Sequence, residues 1–199
     1  DRIALFDMDN TLFDYVGQLK RDLALLKSPE EAEIEDIWDE RLPHIKRRID
    51  LIKSTPGWWY NLPIFQLGWD VYNLTKKIGF DHEILTKGPF KKGKATEGRL
   101  NKSLAWSEKV DCIYRHFPDG DVFPNIVGNS KRNFYGRVLC DDYPEYVEDW
   151  LTHRKRGLAI MPAHDYNKEC KHPNVIRYDG TNLDEVERAL QAAFRRKSK

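Results

Sequence analysis

The sequence predicts a three-layer α/β sandwich on a mainly parallel sheet, with a small helical cap inserted after the first strand. Strands alternate with amphipathic helices through the second half of the chain, which argues for βαβ units. Two apolar, strand-like runs end on acid pairs, and ligands of open α/β sheets bind at strand ends. The helical stretch between the first two strands is too long for one crossover helix.

Ile3-Ala4-Leu5-Phe6 has the length and character of a buried strand. Residues 17–53 favour helix, with breaks at Pro29 and Pro43, and Leu19, Leu23, Leu26, Ile34, Ile37, Leu42, Ile45, Ile49 and Ile52 recur at helical spacing. Trp58-Trp59-Tyr60 follows, bounded by Pro56-Gly57 and Pro63, and an amphipathic helix fits 64–78 before Gly79. A short strand over 82–86 runs into the turn Lys87-Gly88-Pro89. Beyond it come a helix over 101–117, strands at 122–127 and 137–140, a helix at 144–153, strands at 157–161 and 174–178, and a final helix over 183–196. The expected units are a core of 1–14 with 80–199 and a cap of 15–79.

The 199 residues suit one domain, and 40% hydrophobic residues are enough for a core. A formal net charge of +1 gives no global field for nucleic acid or an anionic membrane, so attraction for anions must be local. No apolar run approaches a bilayer span and no signal sequence opens the chain; its start at Asp1 without Met leads us to expect a few residues ahead of it. Cys112, Cys140 and Cys170 are odd in number and lack a CxxC pair, which argues against a disulfide framework or thiolate zinc site and for a reducing, cytoplasmic setting. The six histidines form no metal-binding pair pattern.

Asp7-Met8-Asp9-Asn10-Thr11 places two carboxylates at the end of the first strand, where burying both is costly without a cation or hydrogen-bonding partner. Asp141-Asp142 repeats the arrangement after Val138-Leu139-Cys140, although acids ahead of Pro144 also suit a helix N-terminus. Thr86 ends another strand, and Lys131 is either a charge partner for an anion or a solvated loop lysine. Together these suit one acid that attacks, a second that shuttles a proton, and an Mg²⁺ held by carboxylate. Trp58-Trp59-Tyr60 either packs the cap or stacks on a base. Lys91, Lys92 and Lys94 form a solvated loop or steer a phosphorylated substrate, and the terminal Arg195-Arg196-Lys197 run reads as a helix end.

These residues resemble the four motifs of the haloacid-dehalogenase-like phosphatases, and most of all the 5′(3′)-deoxyribonucleotidases. Tyr15, residues 58–60, Leu85-Thr86-Lys87-Gly88-Pro89, Ala105-Trp106-Ser107-Glu108-Lys109 and 139–144 carry the finer likeness, which spans nearly the whole chain. The resemblance implies a Rossmann-like core in which Asp7 forms an aspartyl-phosphate and Asp9 is the acid and base. It implies Mg²⁺ on the Asp7 carboxylate, the Asp9 main-chain carbonyl and Asp142. Thr86, Lys87 and Lys131 would hold phosphate, and Tyr15, Trp58, Trp59 and Tyr60 would meet the rest of the substrate. Lys87 stands where these nucleotidases usually carry a small hydroxyl or amide residue, and Ser130 where an acid is common. The expected partner is a small phosphomonoester, a (deoxy)nucleoside monophosphate, rather than nucleic acid or membrane; a homodimer is compatible with this reading. The alternatives are a nucleic-acid 3′-end phosphatase, favoured by Lys91–Lys94 and Arg99, a phosphotransferase, and a non-catalytic nucleotide-binding protein.

Overall fold

The structure, a computed structural model, describes residues 2–34, 36–39, 41–88, 99–128 and 130–197, with only the backbone over 99–103. The elements in chain order are β1 (Ile3–Phe6), α1 (Tyr15–Leu25), α2 (Pro43–Lys53), α3 (Gln66–Ile78), β2 (Asp81–Lys87), α4 (Arg99–His116) and β3 (Val122–Val127). They continue with β4 (Val138–Cys140), α5 (Pro144–His153), β5 (Leu158–Pro162), β6 (Val175–Tyr178) and α6 (Leu183–Arg195). All strand pairs are parallel, in the order β3-β2-β1-β4-β5-β6. This is the predicted α/β class.

β1 is central, and Ala4, Leu5 and Phe6 are wholly buried, as an apolar strand covered on both faces must be. Side-chain alternation splits the core. Ala4, Phe6, Ile84, Cys140 and Ile160 face α3, α4 and α6, while Leu5, Leu85, Leu139, Ala159 and Met161 face Val147, Trp150 and Leu151 of α5. Pro124 is tolerated because β3 is an edge strand.

The stretch expected as cap divides by its packing. Leu19 and Leu23 of α1 meet Ile37 and the Ile45, Ile49 and Ile52 face of α2 in a cluster of their own. By contrast, α3 sends Val71, Tyr72 and Leu74 into the sheet core beside Val186 and Leu190 of α6. It can do so because its apolar face is a full stripe and because Gly68 has no side chain: a Cβ there would lie 1.7 Å from the Thr11 carbonyl oxygen. Of the helix-favouring stretch over 17–53, expected to break at Pro29 and Pro43, the parts before and after the breaks form α1 and α2, whereas the part between them is not helical among the described residues. Asp14 starts α1 earlier than expected by accepting from Gly17 N at 3.0 Å, and Pro43 opens α2. Among the described residues, no helix is long and apolar enough to cross a membrane.

Candidate active site

In a sheet of this order, the connections leave the sheet in opposite directions from β1 and β4, opening a crevice at their carboxyl ends. The ladder bonds carry the acids there: Asp7 N donates to Cys140 O at 2.8 Å and Asp141 N to Ile160 O at 3.2 Å. Phe6 pairs with Ile84, so Thr86 lies just beyond the end of β1 on the other side. Asn10 takes a left-handed turn (φ 56), which its short polar side chain tolerates, and its Oδ1 accepts from Val16 N at 2.8 Å. Leu12 N and Phe13 N both donate to Met8 O at 3.0 and 2.9 Å, closing a tight loop that carries Asp9 back over the crevice.

Asp7, Asp141 and Asp142 are buried, with one oxygen of each within 4.8 Å of the others. Lys131, 1% exposed, sits 2.7 Å from both Asp7 Oδ1 and Asp141 Oδ2. Asp141 Oδ1 accepts from Tyr143 N at 3.0 Å, so both its oxygens are engaged. Asp142 has only neutral partners among these contacts: Thr11 Oγ1 donates to Oδ1 at 2.9 Å and the Tyr166 hydroxyl donates to Oδ2. Asn167 Nδ2 fixes the Asp142 carbonyl at 2.9 Å. Lys131 is therefore not a solvated loop lysine; it is raised in the charged form because Asp141 and Asp7 outweigh the opposing cost of its burial.

Asp9 has a different partner. Lys109, from α4, lies 2.6 Å from Asp9 Oδ2, 3.4 Å from Thr86 Oγ1 and 2.9 Å from the Lys87 carbonyl oxygen. A quarter of the Asp9 side chain reaches the surface, yet desolvation raises its pKa, with Asp7 adding to the rise and Lys109 opposing it. Asp9 Oδ1 is buried and has no hydrogen-bond partner among the described residues. Asp7 Oδ1 touches Lys131 in distance but is not aligned with it as a hydrogen bond.

A divalent cation fits this donor set. Asp7, Asp141 and Asp142 each bring one oxygen within 4.8 Å of the others, close enough for hard oxygen donors to share one cation. The four acids against the Lys109 and Lys131 ammoniums leave an uncompensated negative charge. Burial, then the neighbouring carboxylates Asp141 and Asp7, push Asp142 well above the usual aspartate range; burial pushes Asp141 from 3.8 to about 6 against the opposing Lys131. Groups raised on folding hold their protons longer in the native state, so the cation-free protein should lose stability as the pH rises from about 4 to about 6. Thermal denaturation across that window should show the fall without Mg²⁺ and little of it with Mg²⁺. A flat profile without Mg²⁺ would contradict this account of the cluster.

The aromatic residues pack chiefly on one another. Trp59 is 6% exposed, stacks on Tyr15 at 5.4 Å and 16°, and meets Trp58 edge-on at 4.9 Å. Trp58 Nε1 donates to Asp22 Oδ2 at 2.7 Å, and Tyr60 is half-exposed beside Arg115. The Lys109 ammonium lies 4.8 Å from the Trp59 ring, which connects this cluster to Asp9. Its neighbour Glu108 accepts from Gly57 N at 2.6 Å and Trp59 N at 3.2 Å. Lys87 is near the Tyr146 ring, with its ammonium lowered by burial and then by Lys131. Pro89, Lys91, Lys92 and Lys94 lie outside the described residues, as does the Arg99 side chain.

The sequence reading assigned no role to Glu108, Lys109, Tyr166 or Asn167. A signal existed for the first two: an adjacent acid and base fall on the same helical stripe as Ala105, Cys112 and Ile113, where charge needs a partner. Tyr166 and Asn167 lie on a single 3-10 turn (Asp165–Asn167), which has no periodicity to read.

No family model and no curated protein matches the chain. Solved structures similar to it include a chain named as a β-phosphoglucomutase from Thermotoga maritima, 15% identical, covering 98% of this chain and 97% of that one with a TM-score of 0.45. A HAD hydrolase of family IA, variant 3, from Entamoeba histolytica is 12% identical, covers 96% of this chain and 100% of that one, and has a TM-score of 0.45. These likenesses are distant, and the sheet's own strand order defines the fold.

Proposed function

We propose that this chain is an Mg²⁺-dependent phosphomonoesterase of the haloacid-dehalogenase-like type, acting on (deoxy)nucleoside monophosphates. The observation that carries the reading is the buried group of Asp7, Lys131, Asp141 and Asp142 at the crevice between β1 and β4, with Asp9 on the next turn. Asp7 and Asp142, with the Asp9 main-chain carbonyl, would hold Mg²⁺, which when bound supplies charge neutralisation for the phosphate oxygens. Asp142 is the better candidate of its pair because no cation touches it among the described residues, whereas Asp141 is held by Lys131.

An Asp7 carboxylate oxygen attacks phosphorus as the ester P–O bond breaks, and Asp9 gives its proton to the leaving oxygen. Water then attacks the aspartyl-phosphate, Asp9 takes a proton from it, and the bond to Asp7 breaks to release inorganic phosphate. Lys109 pins Asp9 Oδ2, which leaves the unpartnered Oδ1 as the atom that carries the proton. The raised pKa of Asp9 favours the acid form that the first step needs. Thr86 supplies a hydroxyl, and Lys131 offsets charge on the transferring group. The nucleoside is favoured over a simple sugar phosphate by the likeness of residues 58–60, 85–89, 105–109 and 139–144 to the 5′(3′)-deoxyribonucleotidases, although Trp59 itself is buried and stacked on Tyr15.

Phosphate release from the nucleoside monophosphates, a hexose phosphate and an aryl phosphate, each with and without Mg²⁺, tests this. Mg²⁺-dependent release with kcat/KM highest for nucleotides is expected. Preference for the hexose phosphate would remove the nucleotide assignment, and no release from any ester would remove the phosphatase.

A further inference from the structure

At the other end of the sheet from the acids, where β4 and β5 begin and α5 and α6 end, lies a cavity of about 260 Å³. Its walls carry Arg137, Arg154, Arg156, Arg196 and Lys197, with Tyr135 on one side and no acidic residue among the described residues. A chain with a net charge of +1 thus concentrates cationic side chains around one hollow.

Capping explains only part of this. Arg137 Nη1 donates to the carbonyl oxygens of Ala193 and Phe194 at 3.1 and 3.0 Å, which satisfies the end of α6. Arg196 donates to the Arg156 carbonyl oxygen. Arg154 Nε, however, is buried with no hydrogen-bond partner among the described residues. Among those residues, Arg154, Arg156 and Arg196 have no carboxylate at ion-pair distance. Burial lowers the Arg196 pKa, and the like charges of Arg156 and Arg137 lower it further. The Arg154, Arg156 and Arg196 guanidiniums, converging with no carboxylate at ion-pair distance among the described residues, are the arrangement an oxyanion relieves, because their planar donors match phosphate geometry.

We propose that this cavity is a second anion site, remote from the acid cluster, that takes a phosphate or diphosphate group. It falls below the roughly 300–1,000 Å³ of pockets that enclose a whole small molecule, so it accepts an anionic head and leaves any organic remainder outside. The proposal does not depend on the reaction assigned to the acid cluster.

Calorimetric titration of the full chain with inorganic phosphate, pyrophosphate and glycerol 3-phosphate, at fixed ionic strength, tests it. Wild type is compared with Arg154→Ser/Arg156→Ser, whose folding is checked by circular dichroism. The double variant should bind at least about tenfold more weakly at one site, the loss expected for two charge-assisted hydrogen bonds. Its KM for phosphate esters should not change. Arg156 is exposed, so Arg156→Ser alone serves if the double variant misfolds, with a loss of at least about threefold. Equal binding of glycerol 3-phosphate would identify a phosphorylated molecule as the ligand, and its exclusion the free anion. Superimposable titrations of wild type and a folded variant overturn the proposal.

Discussion

Asp7→Asn should release no phosphate while folding normally. The amide cannot form the acyl-phosphate, and loss of a nucleophile costs on the order of 10⁴- to 10⁶-fold in kcat. The fold should not suffer, because Asp7 attracts Lys131 but repels Asp9, Asp141 and Asp142. At an effective dielectric of about 20, each such contact is worth a few kcal/mol and the signs oppose, so removing one charge should leave the cation-free melting temperature level or raise it. Asp9→Asn provides the contrast. It should slow formation of the aspartyl-phosphate about 10²- to 10⁴-fold from an alkyl phosphate and far less from p-nitrophenyl phosphate, whose leaving group needs no proton, while hydrolysis of the intermediate slows equally for both. Substantial turnover by Asp7→Asn, or equal slowing of aspartyl-phosphate formation from both esters in single-turnover measurements on Asp9→Asn, would contradict these roles.

Lys131→Met should be the most destabilising change in the site. It leaves Asp7 and Asp141 buried without their shared cation. Removing one partner of a buried charge pair typically costs about 3–5 kcal/mol, a large share of the roughly 5–15 kcal/mol that holds a domain together. Mg²⁺ should restore part of the loss. Asp141→Asn in the same chain should restore more, giving a coupling energy that urea denaturation of the four proteins in the cycle would measure. If Lys131→Met costs under about 1 kcal/mol without Mg²⁺, charge does not limit this cluster.

Much of this architecture was legible because local pattern and tertiary role agree. Residues 122–127 and 144–153 form the strand and helix their periodicity predicts, and Asp7 and Asp141 leave neighbouring parallel strands, as acids after apolar runs should. Legibility failed where a side chain's role depends on a distant segment. Helical spacing put α3 in the cap stretch, but its approach to the Thr11 loop depends on Gly68 meeting backbone from 57 residues earlier, close to where Trp69 Nε1 bonds Leu12 O. Lys109 lies on the apolar stripe of its helix, which tells that it needs a partner but not that the partner is Asp9, 100 residues away in sequence. The aromatic run 58–60 stayed ambiguous for the same reason. Trp59 meets Tyr15 on α1, and Glu108 on α4 holds its backbone.

The position of β1 also has a consequence for biosynthesis. Asp7 leaves the ribosome well before its neighbours in the site: Thr11 meets Asp142 across 131 positions, and Lys131 must already be in place. A nascent chain that has not emerged past Asp142 therefore carries Asp7 without its surroundings. On the proposed mechanism, such an unfinished product stays inert toward phosphate esters until Asp142 has emerged and folded against β1.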